Sequence, residues 1–404
     1  MTCKKNKKII TAVMGGGANG YDAVSLLNAH NIETYLLSPH QLTDGRYPGA
    51  ELLRCPSPDE NDTLAEFINE TVSPGNSVVL LPTADAFAFF LARNRNRLDK
   101  RFLYLMPDVS LVEATDNKML FYELCLKHGI PCPATYVVRT KYDFESVRNS
   151  FTFPCVIKPF RSRDWPESVG YKVTTVNSVE ELRTVVSGAL SFKCEVIIQD
   201  MIPGGAITDF VVGGLYDPNS KPLKLYVGQK ILQNPLDVGA GCYMNLVWNQ
   251  YVIDLCNTFV KRTGYFGLVD VDVKYDRRNQ TYKIIEVNPR NGMCHKISSN
   301  GRWDLLSFYV HWINGMEDVA KDYHIHQDGR KWIYPHRHLC SRIEEKGLVG
   351  GIGQWLKDMH QTKLRCAWDI RDIHRTWRYL RIVAGHIRQL KIRTLIFGRQ
   401  NKAY

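Results

Sequence analysis

Short apolar runs separated by stretches of helical spacing dominate the first hundred residues. Ile9 to Met14 reads as a buried strand, followed by Gly15-Gly16-Gly17-Ala18-Asn19-Gly20 and helical spacing to about Ala29. Ile32 to Leu37 reads as a second strand, Asp59 to Val72 as a helix, Ser77 to Leu81 as a strand, Ala84 to Arg97 as a helix and Phe102 to Leu105 as a strand. Strands and helices alternating at these lengths predict a parallel α/β sheet, a Rossmann-like domain over residues 1–110.

The pattern then changes. Asp116 to His128 predicts one helix, stopped by Gly129 and followed by Pro131 and Pro133. Strands are expected at Thr135 to Arg139, Cys155 to Lys158, Gly170 to Val176, Glu195 to Asp200, Thr208 to Leu215 and Leu223 to Lys230. Helices are expected at Val179 to Ser187, Tyr251 to Arg262 and Leu305 to Asn314. This mixture reads as α+β, here residues 111–330, with residues 135–210 as a subdomain. Beyond it lie His336-Arg337-His338, a glycine-rich turn at Gly347 to Gly353, and Asp369 to Phe397. In that last stretch Trp377, Leu380, Val383, Ile387 and Leu390 stand among arginines, which predicts a basic amphipathic helix.

The most specific chemistry lies in Gly267-Leu268-Val269-Asp270-Val271-Asp272-Val273-Lys274 and Lys283-Ile284-Ile285-Glu286-Val287-Asn288-Pro289-Arg290. Residues two apart in a strand share a face. Glu286 therefore projects with Asn288, and Asp270 with Asp272. A hairpin with Arg277 to Thr281 as its loop sets Asp272 opposite Glu286, with the valines and Ile285 packed beneath. Clustered hard oxygens suit Mg²⁺, which keeps several waters and takes further oxygens from phosphates. The bland alternative is an amphipathic hairpin with a solvated acidic face, against which Pro289 argues by ending the strand at the polar cluster.

Other features admit two readings each. Lys158 closes a hydrophobic strand, where an ammonium is costly unless it meets an anion or snorkels to solvent. Lys118 sits in the first turn of its helix and is either solvated or aimed at a ligand. Arg161 to Gly170 could fold over phosphates as a small cationic loop containing Ser162. Gln199-Asp200-Met201-Ile202, ahead of Pro203-Gly204, is a strand edge that can hydrogen-bond a purine or simply turn. The glycine turn matches the dinucleotide fingerprint in part, but the second strand ends Leu36-Leu37-Ser38 without the carboxylate that would take a ribose. That disfavours an NAD(P)-dependent oxidoreductase. His324-x-His326 and His336-x-His338 lack a surrounding carboxylate or cysteine array, and surface or interdomain roles fit them better than a metal.

Composition narrows the class. The 404-residue chain is 44% hydrophobic and 23% charged, ordinary for a globular protein of several domains. Eleven cysteines without regular spacing point to a reducing compartment, hence the cytoplasm. No apolar run is long enough to span a bilayer. Residues 331–404 hold 16 Lys+Arg against 5 Asp+Glu, a net of +11, while the first 330 residues carry 36 of each sign. The basicity thus belongs to the C-terminal extension. That segment fits an anionic membrane surface or lipid-linked substrate at the inner membrane face, or packing on the protein's own body or in an oligomer. No recognised nucleic-acid fold accompanies the charge, which argues against nucleic acid.

In order along the chain stand a helix-start lysine, Gly129-Ile130-Pro131, strand-Lys-Pro, a polar loop, Gln-x-x-Ile-Pro-Gly, Lys230 and an acid hairpin ending Glu-x-Asn-Pro-Arg. This order resembles the ATP-grasp superfamily over about residues 1–315, closest to its carboxylate–amine ligase branch, which includes D-aspartate ligases. The resemblance implies a Rossmann-like domain followed by an ATP-grasp fold, with about residues 135–210 as its lid subdomain. By position it implies ATP phosphates at Lys118, Lys158 and Ser162, and adenine at Gln199, Asp200, Met201 and Ile202. It likewise implies ribose near Asp209, and Mg²⁺ (or Mn²⁺) on Asp272, Glu286 and Asn288. Arg290 and Lys230 would meet the γ-phosphate and an acyl phosphate. The implied activity joins a small-molecule carboxylate to an amine, with a cell-envelope or polysaccharide precursor as one candidate substrate. Thiol ligation or phosphorylation of a hydroxyl uses the same ATP site. The departures are a glycine-poor phosphate loop, Gln199 for a common glutamate and Asp272 for another.

Overall fold

A computed structural model of the chain describes residues 8–39, 47–160, 174–236, 239–316, 321, 328–368 and 372–397, with side chains undescribed at 159, 373 and 389–397. Ser162, Arg371 and the His324–His326 pair lie outside the described residues.

The first domain is built from β1 (Ile10–Met14), α1 (Gly17–Ala29), β2 (Glu33–Ser38), β3 (Ala50–Arg54), α2 (Asn61–Thr71), β4 (Val78–Pro82), α3 (Asp85–Arg93) and β5 (Phe102–Leu103). Its strands form a five-stranded parallel sheet in the order β3-β2-β1-β4-β5. Central β1 and β4 are buried along their whole length, as expected of strands covered on both faces. Strand β3 has no counterpart in the expected pattern. It sits at the sheet edge, and its half-exposed Ala-Glu-Leu-Leu-Arg carries no apolar run.

The expected single helix before the proline turn is two: α4 (Val109–Asp116) and α5 (Lys118–Lys127). Asn117 breaks them in extended conformation, and its side chain accepts from the Met119 and Leu120 amides as the N-cap of α5. Next come β6 (Thr135–Val138), α6 (Lys141–Val147), β7 (Cys155–Pro159), β8 (Thr174–Val176), α7 (Val179–Ser191) and β9 (Val196–Asp200). The four strands make a small antiparallel sheet, β6-β9-β7-β8, covered by α6 and α7.

The largest sheet comprises β10 (Asp209–Tyr216), β11 (Pro222–Asn234), β12 (Ala240–Val247), β13 (Gly267–Asp276), β14 (Thr281–Asn288), β15 (Lys331–Ile333) and β16 (Leu364–Arg365). Its order is β14-β13-β10-β11-β12-β15-β16. Helices α8 (Gln250–Thr263) and α9 (Leu305–Ile313) pack on it. Since β15 pairs with β12, the chain beyond residue 330 enters this sheet rather than hanging from it. There follow α10 (Pro335–Gln361), bent at Gly347, and α11 (Ile373–Phe397). Among the described residues no helix is long and apolar enough to cross a membrane, and all ten cysteines are free thiols.

Helix α11 divides its expected apolar positions between two sides, with Val383 buried and Ile387 packed beside it. Arg375, Tyr379 and Val383 face inward, and Trp377 and Leu380 face out. The inward face is set by specific partners: the Arg375 guanidinium lies 3.9 Å from the Tyr21 ring centre, and the Tyr379 hydroxyl donates to the Ala367 carbonyl.

A buried polar junction on α1 fastens the domains together. Asn19 Nδ2 donates to the carbonyls of Thr83 and Asn291, and Asn291 Nδ2 donates back to Asn19 Oδ1 at 2.7 Å. One turn on, Asp22 accepts from Lys296 Nζ and from the Ala367 amide. Buried polar groups stripped of partners are costly. Asn19→Ala is therefore expected to cost about 1–3 kcal/mol of stability, read as a lower midpoint in equilibrium urea unfolding.

Candidate active site

The acids come together through a bulge. The β13–β14 connection is shorter than expected, pairing Asp276 with Thr281, and a register shift between Asp272 and Val273 restores the opposition of Asp272 to Glu286 and Asp270 to Asn288. Ile285 is the extra residue. It lines the cleft beside Glu286, while Ile284 and Val287 fill the core in its place, so the expectation that Ile285 packs beneath is corrected.

The cleft has a volume of about 420 Å³, within the range of small-molecule sites. The large sheet supplies its floor, through Asp209, Lys230, Asp270, Asp272, Lys274 and Glu286. The small sheet supplies its roof, through Val156, Lys158 and the Gln199–Ile202 segment. Lys118, at the start of α5, stands close enough to Lys158 and Glu286 to act on both electrostatically.

Among the described residues Lys158 has no ion-pair partner. Burial, then the neighbouring Lys118 charge, pushes its ammonium down to about 8, with Glu286 opposing. Lys230 is the contrary case: burial works to lower it, but Asp272 at 3.4 Å and Asp209 at 3.6 Å outweigh that and hold it above its ordinary value. Lys274 also grips Asp209, at 2.9 Å. Burial raises the Glu286 carboxyl, and Asp272 adds to the rise. Burial also raises Asp270 well above the carboxylate range, again with help from Asp272.

Two residues outside the expected set shape the centre. Asp85, just past β4, binds Arg290 in a bidentate pair at 2.8 and 3.3 Å. Its place after the carboxyl end of a parallel strand, where open α/β sheets hold ligands, was the available signal. Asp270 accepts from Asn288 Nδ2 and lies 4.0 Å from Arg290. The sequence showed it sharing a face with Asp272. Asn288 Oδ1 accepts from Arg290. Trp332, on β15, adds an indole wall that no motif announced.

At the roof, Gln199 Nε2 donates to the Thr135 hydroxyl, and Asp200 accepts from the Thr152 amide. The Met201 amide is bonded to the Pro154 carbonyl. Ile202 is buried at the cleft wall. The glycine turn lies beside this centre through the Asn19–Asn291 pair. Its Gly17 amide and carbonyl are both bonded by the Tyr47 hydroxyl. His336 stacks on Tyr379, and His338 pairs with Asp358.

The donor set suits Mg²⁺. Asp272, Glu286 and Asn288 offer hard oxygens, and Asp270 Oδ1 is buried without a hydrogen-bond partner among the described residues. Among those residues no three His, Cys, Asp or Glu side chains form a cage, so phosphates and water would complete the coordination.

Residues 115–292 match the ATP-grasp domain family, and the acid hairpin and both lysines fall inside that span. Over those residues the chain carries an ATP-grasp domain. It is similar to the D-aspartate ligase of Enterococcus faecium (strain Aus0004), 25% identical over 311 residues, 72% of this chain and 73% of that protein. Its ATP-grasp fold is similar to that of the L-amino acid ligase from Bacillus licheniformis, with TM-score 0.59 and 15% identity over 81% of this chain and 79% of that one. It is also similar to the biotin carboxylase domain of the Hydrogenobacter thermophilus 2-oxoglutarate carboxylase, solved with MgADP and bicarbonate. There the TM-score is 0.56 and the identity 14%, over 76% of this chain and 69% of that one.

The acid centre has one tight steric point. A Cβ on Gly292 would lie 1.9 Å from Asp270 Oδ1. Gly292→Ala is expected to displace Asp270 and destabilise the protein by about 1–3 kcal/mol, seen as a lower melting temperature in calorimetry.

Proposed function

We propose that the chain is an ATP-dependent carboxylate–amine ligase. The observation that carries this reading is Asp272 opposed to Glu286 on the floor of a cleft whose roof presents Lys158. Both lysines would bind ATP phosphates. The Asp200 carbonyl and Ile202 amide, two apart in an extended segment and so aimed to one side, would take the adenine edge. Asp209 would reach the ribose while its two lysine pairs hold its carboxylate in place.

In the proposed reaction a substrate carboxylate oxygen attacks the γ-phosphorus, the bond to the β-phosphate oxygen breaks, and ADP leaves. The amine nitrogen then attacks the acyl carbon and expels phosphate, which can accept the proton the amine loses. Magnesium held by Asp272, Glu286 and Asn288 would supply charge neutralisation at the phosphate oxygens. Arg290, steadied by Asp85, and Lys230, steadied by Asp209 and Asp272, would stabilise the charge on the transferring group from fixed positions. The roof keeps water from the acyl phosphate. The substrates are a small carboxylate and an amine, in line with the D-aspartate ligase relative.

Glu286→Gln and Lys158→Ala are each expected to slow carboxylate-dependent ADP release on the order of 10²- to 10³-fold. With hydroxylamine in place of the amine, a hydroxamate should accumulate. ADP release without hydroxamate would sink acyl-phosphate chemistry.

Lys158 makes a pH prediction. Its ammonium is lost as pH rises through about 8 in the free protein, and only the charged form attracts phosphate. Calorimetric affinity for Mg-ATP should therefore fall as pH rises above about 8, and binding there should take up a proton. In Lys158→Arg, whose guanidinium stays charged, that decline should vanish.

A further inference from the structure

Helix α10 is a helical hairpin. Gly347, at φ 73°, turns the chain, and the arms are clamped by Arg342 on Asp358 at 2.9 Å and by the Trp355 indole donating to the Pro335 carbonyl. The second arm then shows solvent an apolar edge: Leu348, Val349, Ile352 and Leu356 are all exposed, Val349 at 84%. These positions fall on one side of a helix at its 3.6-residue period.

Helix α11 runs beside the first arm in the same direction. His336 stacks on Tyr379 at 4.2 Å, and Cys340 and Ile343 pack on Val383. Arg388 therefore comes level with the Lys346–Val349 bend. Its outer face carries Trp377, 61% exposed, with Leu380 and Arg381.

We infer that this hairpin tip and the outer face of α11 form a docking surface for an anionic lipid bilayer. Exposed apolar side chains on the second arm, with exposed Lys346 and Lys357 on the hairpin and Arg381 and Arg388 on α11, suit the headgroup boundary, where aliphatic groups enter the acyl region and cations stay with lipid phosphates. Charge selects the occupant. Over residues 344–357 and 377–388, Lys346, Lys357, Arg378, Arg381 and Arg388 stand against Glu344 and Glu345, a net of +3, which the same face of a second copy would repel and an anionic leaflet attracts. This surface goes beyond the ligase reading and does not depend on it, since none of its side chains lines the cleft.

The test is sedimentation of the full chain with vesicles of phosphatidylcholine alone or mixed with phosphatidylglycerol. Binding is expected to the mixed vesicles, to weaken with added salt, and to drop about tenfold or more in Val349→Asp and in the double variant Arg381→Glu, Arg388→Glu. The circular dichroism spectrum and melting temperature of these variants should be unchanged, which shows that they fold. No sedimentation with anionic vesicles, equal sedimentation with phosphatidylcholine alone, or undiminished binding by Val349→Asp would each overturn the inference. So would a dimer in light scattering that Val349→Asp dissolves, because it would assign the face to a second copy.

Discussion

Like charges held face to face are the constraint on which the centre depends. Asp270, Asp272 and Glu286 project from neighbouring strands, an arrangement that by itself destabilises a sheet. Lys230 and Arg290 offset the repulsion from the protein side, and each is held in turn by a second acid, Asp209 or Asp85. The charge that remains favours a divalent cation. The same crowding raises the Asp270 and Glu286 carboxyls, because burial and, after it, the Asp272 charge disfavour their ionisation.

That balance needs all parts of the molecule. Asp85 belongs to the first domain, Arg290 to the end of β14, and the Asn19–Asn291 pair fixes one against the other beneath them. The chain beyond residue 330 belongs to the same construction. It adds β15 and β16 to the large sheet, places Trp332 in the cleft wall and returns through Ala367 to Asp22 on α1. Exposed basic side chains such as Lys346, Lys357 and Arg381 mark the outer surface of that segment, whereas Arg375 and its apolar side chains pack inward.

The roof works differently. Among the described residues Lys158 makes no ion pair there. Its ammonium is consequently depressed rather than raised, the reverse of Lys230 on the opposite wall. A cation kept short of a partner is disposed to bind an anion that arrives with its own charge.

Local pattern sufficed for the parallel first domain, for most strands of the two later sheets and for the Glu286–Asn288 face. Strand periodicity and buried apolar runs are properties of the chain within a few residues. It also showed which lysines stand at element ends. Edge strand β3, the break at Asn117 and the bulge at Ile285 were not legible. Each is decided by what lies alongside: a neighbouring strand, a cap, and a loop shorter than the register needs. The partners of Arg290 and Lys230, the entry of Trp332 into the cleft and the inward face of α11 were likewise settled only in three dimensions. The contacts responsible join different elements of the chain, some hundreds of positions apart, such as Asp22 with Ala367, and no local rule reaches across that separation.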